Sequence, residues 1–317
     1  MTRAASSRWL VVAAFAAVYL IWGSTYLAIR IAIETIPPLL MAAVRFLAAG
    51  AVLYGWGRLA GGAPPRRAEL RTAAVVGFLL IVGGNGMVVY AEQWVPSGLA
   101  ALLVAVEPLM IVLLLWLVWG ERPSVGVLTG TVAGFGGVAM LIAPSDTGGV
   151  PWGGAATIVL AALSWAAGSL YAARAPRAPA PLVNLGTSML AGGGMLLILA
   201  GVTGEITELN PAAITMPSVA ALGYLIVFGS LVAFSAYVWL VQTTPPGLVS
   251  TYAYVNPVVA LLLGWGLAGE PLGLRTLMAA AAILGAVALV ATRSAGGTSA
   301  VTSRNDEPAK ASTRRAA

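Results

Sequence analysis

Ten stretches of the chain are apolar over 19 to 24 residues and nearly free of charge. They run near 9–29, 38–56, 72–91, 97–119, 125–143, 152–173, 182–201, 217–240, 247–268 and 274–292. A helix needs about 20 apolar residues to cross a hydrocarbon core roughly 30 Å thick. The runs do not alternate with period two, so they do not read as strands of a membrane barrel. Proline and glycine punctuate them, at Pro37–Pro38, Pro96, Pro123, Pro245–Pro246 and Pro271 among others. The pattern predicts an all-α integral membrane protein with ten transmembrane helices. The first run follows Arg3 and Arg8 as a signal peptide would, but it is too long for one and has no clean cleavage pattern, so it reads as a retained helix.

Composition agrees with this reading. Apolar residues make up 59% of the 317 and charged residues 9%, against roughly a quarter in soluble domains. The formal charge of +6 raises the question of nucleic acid. The charges gather in short connections and the C-terminal tail and form no basic stripe, so nucleic acid is not expected as a partner. Cysteine and histidine are both absent, so neither a metal site nor a cofactor is expected. No nucleophile motif stands out, and the chain does not read as an enzyme.

The loop charges set an orientation. With the N-terminus in the cytoplasm, fourteen Lys and Arg residues fall on the cytoplasmic side, and only Arg30 and Arg275 fall outside. Positive charge prefers the cytoplasmic side. Both termini are therefore expected there, with 293–317 as a disordered tail rich in Gly, Ser, Thr and charge.

The chain also repeats itself. At a shift of 149 residues Gln93 meets Gln242, Gly98 meets Gly247, Pro108 meets Pro257, Trp116 meets Trp265, and Gly120–Glu121 meets Gly269–Glu270. The first helix of each half aligns less cleanly, at a shift of 145 or 143. The repeats are expected at 9–143 and 152–292. Five helices per repeat is an odd number, so the second copy enters the membrane upside down. Two inverted five-helix repeats point to a secondary transporter with its solute site near the midplane.

Within that frame the polar intramembrane residues stand out. Glu107 lies ten residues into the fourth helix, roughly 15 Å along its axis. A carboxylate there faces a cavity or a partner. Substrate contact, proton carriage and a structural ion pair with Arg45 all remain open. Arg45 lies roughly 10 Å into the second helix by the same rise, and its long side chain could close the gap in depth. Pro108 loosens the helix beside Glu107 because it has no N–H to donate. Asn256 takes the place of Glu107 in the second repeat, as a backbone cap or a substrate contact. Trp22, Tyr26, Asn85, Trp165, Ser169, Tyr237 and Tyr254 complete the set of cavity candidates. Tyr90, Trp239 and Tyr252 are further aromatics in the same helices, the first two near helix ends where the membrane interface also favours them. Gly83–Gly84, Gly130 with Gly134, and Gly192–Gly194 read as helix-packing surfaces.

Trp22-Gly23-Ser24-Thr25-Tyr26, Arg45-Phe46, Glu107-Pro108 and Gly120-Glu121 resemble the EamA-type family of the drug/metabolite transporter superfamily. Asn256-Pro257 and Gly269-Glu270-Pro271 continue the likeness in the second copy. The resemblance covers about 9–292. It implies a bacterial inner-membrane carrier, often an exporter of amino acids or other metabolites. It also implies a central cavity lined by helices 1, 3, 4, 6, 8 and 9, with helices 5 and 10 peripheral. A small-molecule solute and membrane lipid are the expected partners, and a homodimer is left open. No ATP-binding motif is visible, so alternating access driven by a gradient is expected; a channel or scaffold without carrier activity is the alternative. Solute, direction and coupling ion are not named by the sequence.

Overall fold

The computed structural model describes residues 8–143, 150–244, 246–249 and 251–291. Every regular element among them is helical. The helices are α1 (Arg8–Ala32), α2 (Pro38–Leu59), α3 (Arg67–Ala91), α4 (Ser97–Trp119), α5 (Val125–Ile142), α6 (Trp152–Arg174), α7 (Pro181–Val202), α8 (Met216–Thr243), α9 (Tyr252–Ala268) and α10 (Leu274–Ala291). Among the described residues nine are long and apolar enough to cross a membrane, and α9 is a shorter apolar helix. The run expected from 247 is split: the one-turn helix Pro246–Val249 precedes α9, and the Thr251 hydroxyl donates to the Leu248 carbonyl at 2.5 Å. The tail expected at 293–317 lies outside the described residues.

Two helices are locally loosened where proline requires it. α4 runs regularly to Val104 and restarts at Glu107. Pro108 has no N–H to offer the Val104 carbonyl, so the ladder opens there. Pro257 sits inside α9 in the matching place. α3 and α8, the third helices of the two halves, each carry a π-helical stretch, Gly77–Gly86 and Leu225–Val232. Such wide turns cluster at functional sites. α4 ends at Gly120 with φ 71° and α9 at Gly269 with φ 66°, left-handed caps that glycine adopts without strain.

The packing repeats as the sequence does. α1 packs on α8 and α9, while α6 packs on α3 and α4. α2 packs on α7, and the first half of α4 packs on α9. Exchanging α1 with α6, α2 with α7, α3 with α8 and α4 with α9 maps these contacts onto one another, as a two-fold axis between two inverted five-helix repeats demands. Glycine sets the closest approach: a Cβ on Gly186 of α7 would lie 2.5 Å from the Tyr54 backbone nitrogen of α2, and one on Gly50 would lie 2.9 Å from that of Leu190. In lipid, where hydrophobicity does not drive helices together, such contacts hold the bundle. α5 and α10 pack on each other through Gly130, Gly134 and Gly137, away from the centre.

Candidate functional site

At the crossing of the two repeats lies a cavity of about 110 Å³. α1, α3, α4, α6, α8 and α9 line it, as the resemblance implies, and α2 adds Arg45. Trp22, Tyr26, Asn85, Glu107, Trp165 and Asn256 all face it.

The walls are fixed by the broken backbones around them. The Trp22 indole donates to the Gly229 carbonyl in the π-helical stretch of α8 at 3.2 Å. In the mirrored place the Ser164 hydroxyl of α6 donates to the Leu79 carbonyl in the π-helical stretch of α3 at 2.8 Å. Asn85 satisfies a third loosened carbonyl, that of Leu80, at 3.1 Å. The Trp22 ring is wedged among Phe234, Tyr237 and Tyr252, with centroids 5.0, 5.2 and 5.4 Å away. Offset and edge-on contacts of this kind hold an aromatic wall in one orientation.

The two intramembrane charges do not pair. Arg45 is 3% exposed; its Nε donates to the Ser230 hydroxyl at 2.9 Å, its guanidinium lies 4.8 Å from the Phe46 ring centroid, and its Nη1 has no hydrogen-bond partner. Glu107, 9% exposed, makes no ion pair with it and lies within electrostatic reach of Tyr26, Tyr237 and Tyr252. The ion pair expected between Arg45 and Glu107 is thus not formed. Matching depth did not place the two side chains on facing sides of their helices, and Ser230 on α8 takes the guanidinium instead. Asn256 Oδ1 is buried and also without a partner. Around the cavity Arg45 Nη1 and Asn256 Oδ1 are thus buried without a hydrogen-bond partner, and Glu107 stands among the lining aromatics without an ion pair to Arg45.

Three expected residues are not part of the lining. Ser169 lies one helical turn beyond Trp165, roughly 6 Å along α6. Tyr237 stands behind Trp22 and Tyr252 rather than facing the space. Tyr254 packs against the apolar core shared by α4, α5, α6 and α10. Tyr252 takes its place: two residues along a helix turn the side chain by roughly 200°, so only one of the two tyrosines can face inward. Thr25 and Phe234 line the cavity without having been singled out. A period of three to four from Trp22 and Tyr26 would have indicated Thr25.

One end of the bundle, at the connections after α3 and α9, is capped by a carboxylate. Glu270, just after α9, accepts from the backbone N–H of Ser97 at 2.7 Å, the Ser97 hydroxyl at 2.8 Å and the backbone N–H of Gly98 at 2.9 Å. It satisfies orphan donors at the start of α4 and complements the helix dipole. Glu121, its counterpart in the first repeat, is exposed. On the opposite end Tyr19 of α1 and Thr251 share a hydrogen bond between their hydroxyls.

The EamA-like transporter family matches the chain twice, over residues 8–143 and 152–292. The chain belongs to the EamA-like transporter family. Membership makes it a membrane transporter rather than an enzyme, with a small-molecule solute as cargo. The uncharacterized inner membrane transporter YedA of Escherichia coli K12 is 43% identical over 275 residues, covering 86% of this chain and 88% of its own. Protein PecM of Dickeya dadantii is 30% identical, covering 80% and 84%. The uncharacterized transporter YvbV of Bacillus subtilis is 26% identical, covering 92% and 94%. A crystal structure of a protein 23% identical superposes with a TM-score of 0.60, covering 90% of this chain and 98% of that one, which establishes the shared fold.

Proposed function

We propose that this EamA-family transporter is an inner-membrane exporter of small zwitterionic metabolites, amino acids with apolar or aromatic side chains above all. The observation that carries the reading is the cavity in which Arg45 and Glu107 stand unpaired. A solute carboxylate satisfies Arg45 Nη1, its ammonium satisfies Glu107 and Asn256 Oδ1, and its side chain rests on Trp22, Trp165 and Tyr252. Buried polar groups left without partners are costly, and the cargo supplies what the fold leaves out.

Transport proceeds by alternating access, without ATP, as the repeats 9–143 and 152–292 move against each other around the central site. N- and C-termini are cytoplasmic by the distribution of Lys and Arg. With that orientation the Glu270 cap lies on the outer side. α4 and α9 are joined there and diverge toward the cytoplasm, where the second half of α4 packs on α6 instead. This arrangement suits loading from the cytoplasm. The test is counterflow of labelled amino acids in proteoliposomes, with N-acetylated and esterified forms as competitors. Zwitterions should compete, and forms lacking either charge should compete weakly. Equal competition by all forms would refute the zwitterion reading.

A further inference from the structure

Glu92 follows directly on α3 and is fully buried, at 0% exposure. It is not part of the cavity. Neither of its carboxylate oxygens has a hydrogen-bond partner. Three charged groups act on it: Arg30 from α1, Arg45 from α2, and Glu270 from the connection between α9 and α10; the neutral Tyr26 hydroxyl of α1 is the further titratable group within its electrostatic reach. Neither guanidinium donates to the carboxylate. Arg30 donates to the main-chain carbonyl of Glu92 at 3.0 Å, and Arg45 Nε to Ser230. The first turns of α6, which pack on this end of α3, carry no ionisable residue between Trp152 and Thr157. A carboxylate anion in this place would lack both water and hydrogen bonds, within electrostatic reach of the Glu270 carboxylate. Glu270 is held by three hydrogen bonds whereas Glu92 is fully buried with none, so burial favours the neutral, protonated form of Glu92.

We propose that Glu92 is a proton-binding site that controls the outer closure of the transporter. With the proton on Glu92, Glu270 stays docked on the start of α4 and the outer side is shut. When Glu92 gives its proton to outer water, the new charge repels Glu270 from its cap and draws the guanidiniums of Arg30 and Arg45. Arg45 then turns away from the cavity, which releases an acidic group held there. The site thus ties proton occupancy to access and to the grip on the solute. The proposal rests on the orientation given above for the carrier, but its test uses no transported solute.

The chain has no cysteine, so a single cysteine at Ile29, a cavity-lining residue toward the outer end of α1, reports access. Labelling by a membrane-impermeant maleimide from outside, divided by that of a single cysteine at the exposed Glu34 to remove the pH dependence of the thiol itself, should rise severalfold from acid to alkaline pH. In Glu92→Gln, which keeps the shape of the protonated form, it should stay low throughout. A flat profile without that substitution, or a rise that survives Glu92→Gln, overturns the proposal. Infrared spectra of the purified protein at neutral pH give an independent reading. The difference between the unsubstituted protein and Glu92→Gln should contain the C=O band of a protonated carboxyl group; carboxylate bands in its place would overturn the assignment.

Discussion

At the scale of single residues the account rests on Arg45 and Glu107. The sequence exposed both, because a charge inside an apolar run is costly enough to need a reason. It also gave their depths, since the rise of a helix is fixed. It did not give their directions, which depend on how each helix is rotated against its neighbours. The structure separates the two charges, and the expected consequence of removing one changes. Were they a buried pair, Glu107→Gln would strand a guanidinium at a cost of about 3–5 kcal/mol. Here Arg45 is held by Ser230 instead. Glu107→Gln should therefore leave thermal stability in detergent nearly unchanged. It should also weaken binding of an ammonium-bearing solute by about 1.5–3 kcal/mol, roughly tenfold to a hundredfold in affinity. A large loss of stability rescued by Arg45→Met would revive the ion pair and remove the basis for a zwitterion site. The same limit on sequence reading explains the exchange of Tyr254 for Tyr252. Aromatics two positions apart look equivalent in an apolar run, and only packing decides which one faces the cavity.

At the scale of elements, span positions and the repeat were legible because hydrophobicity and the spacing of Pro, Gly and Trp record them directly. The π-helical stretches of α3 and α8 were not, since no residue pattern distinguishes a wide turn from a regular one. Gly83–Gly84 with Asn85 in an otherwise apolar run was the trace of the first. Packing glycines were legible as a type, and the structure assigns their partners. Gly186→Leu should push α7 off α2 and destabilise the protein by about 1–3 kcal/mol, read as a fall in melting temperature, because the backbone of Tyr54 cannot yield. A neutral result would mean that the two helices do not approach as closely as described. The paired Gly-Glu motifs show how equal sequence can have unequal outcome. Glu270 fits over Gly264, whose added Cβ would lie 2.3 Å from its Oε2. Leu115 stands at the position in the first repeat that corresponds to Gly264, at the shift of 149. Gly264→Ala should therefore loosen the outer closure and raise labelling of a cysteine at Ile29 from outside, whereas Glu121→Ala should change stability by no more than about 0.5 kcal/mol. Equal effects of the two substitutions would contradict the asymmetry.

At the scale of the whole molecule, the odd number of helices in each repeat carries the architecture. It turns the second copy over and brings the two broken helices, α4 and α9, together at the centre. The orientation of the assembly in the membrane follows only from loop charge. A reporter fused after Thr292 should be active as a cytoplasmic fluorophore and inactive as alkaline phosphatase; phosphatase activity there would overturn the orientation or the helix count. The central claim is that the space between the repeats is a carrier site for a zwitterion. Counterflow in proteoliposomes tests it most directly. Vesicles preloaded with an unlabelled apolar or aromatic amino acid should take up the labelled form transiently and saturably, and Glu107→Gln vesicles of equal protein content should not. Uptake that neither saturates nor depends on the preloaded solute would mark a channel, and labelled uptake undiminished in Glu107→Gln would place the site elsewhere.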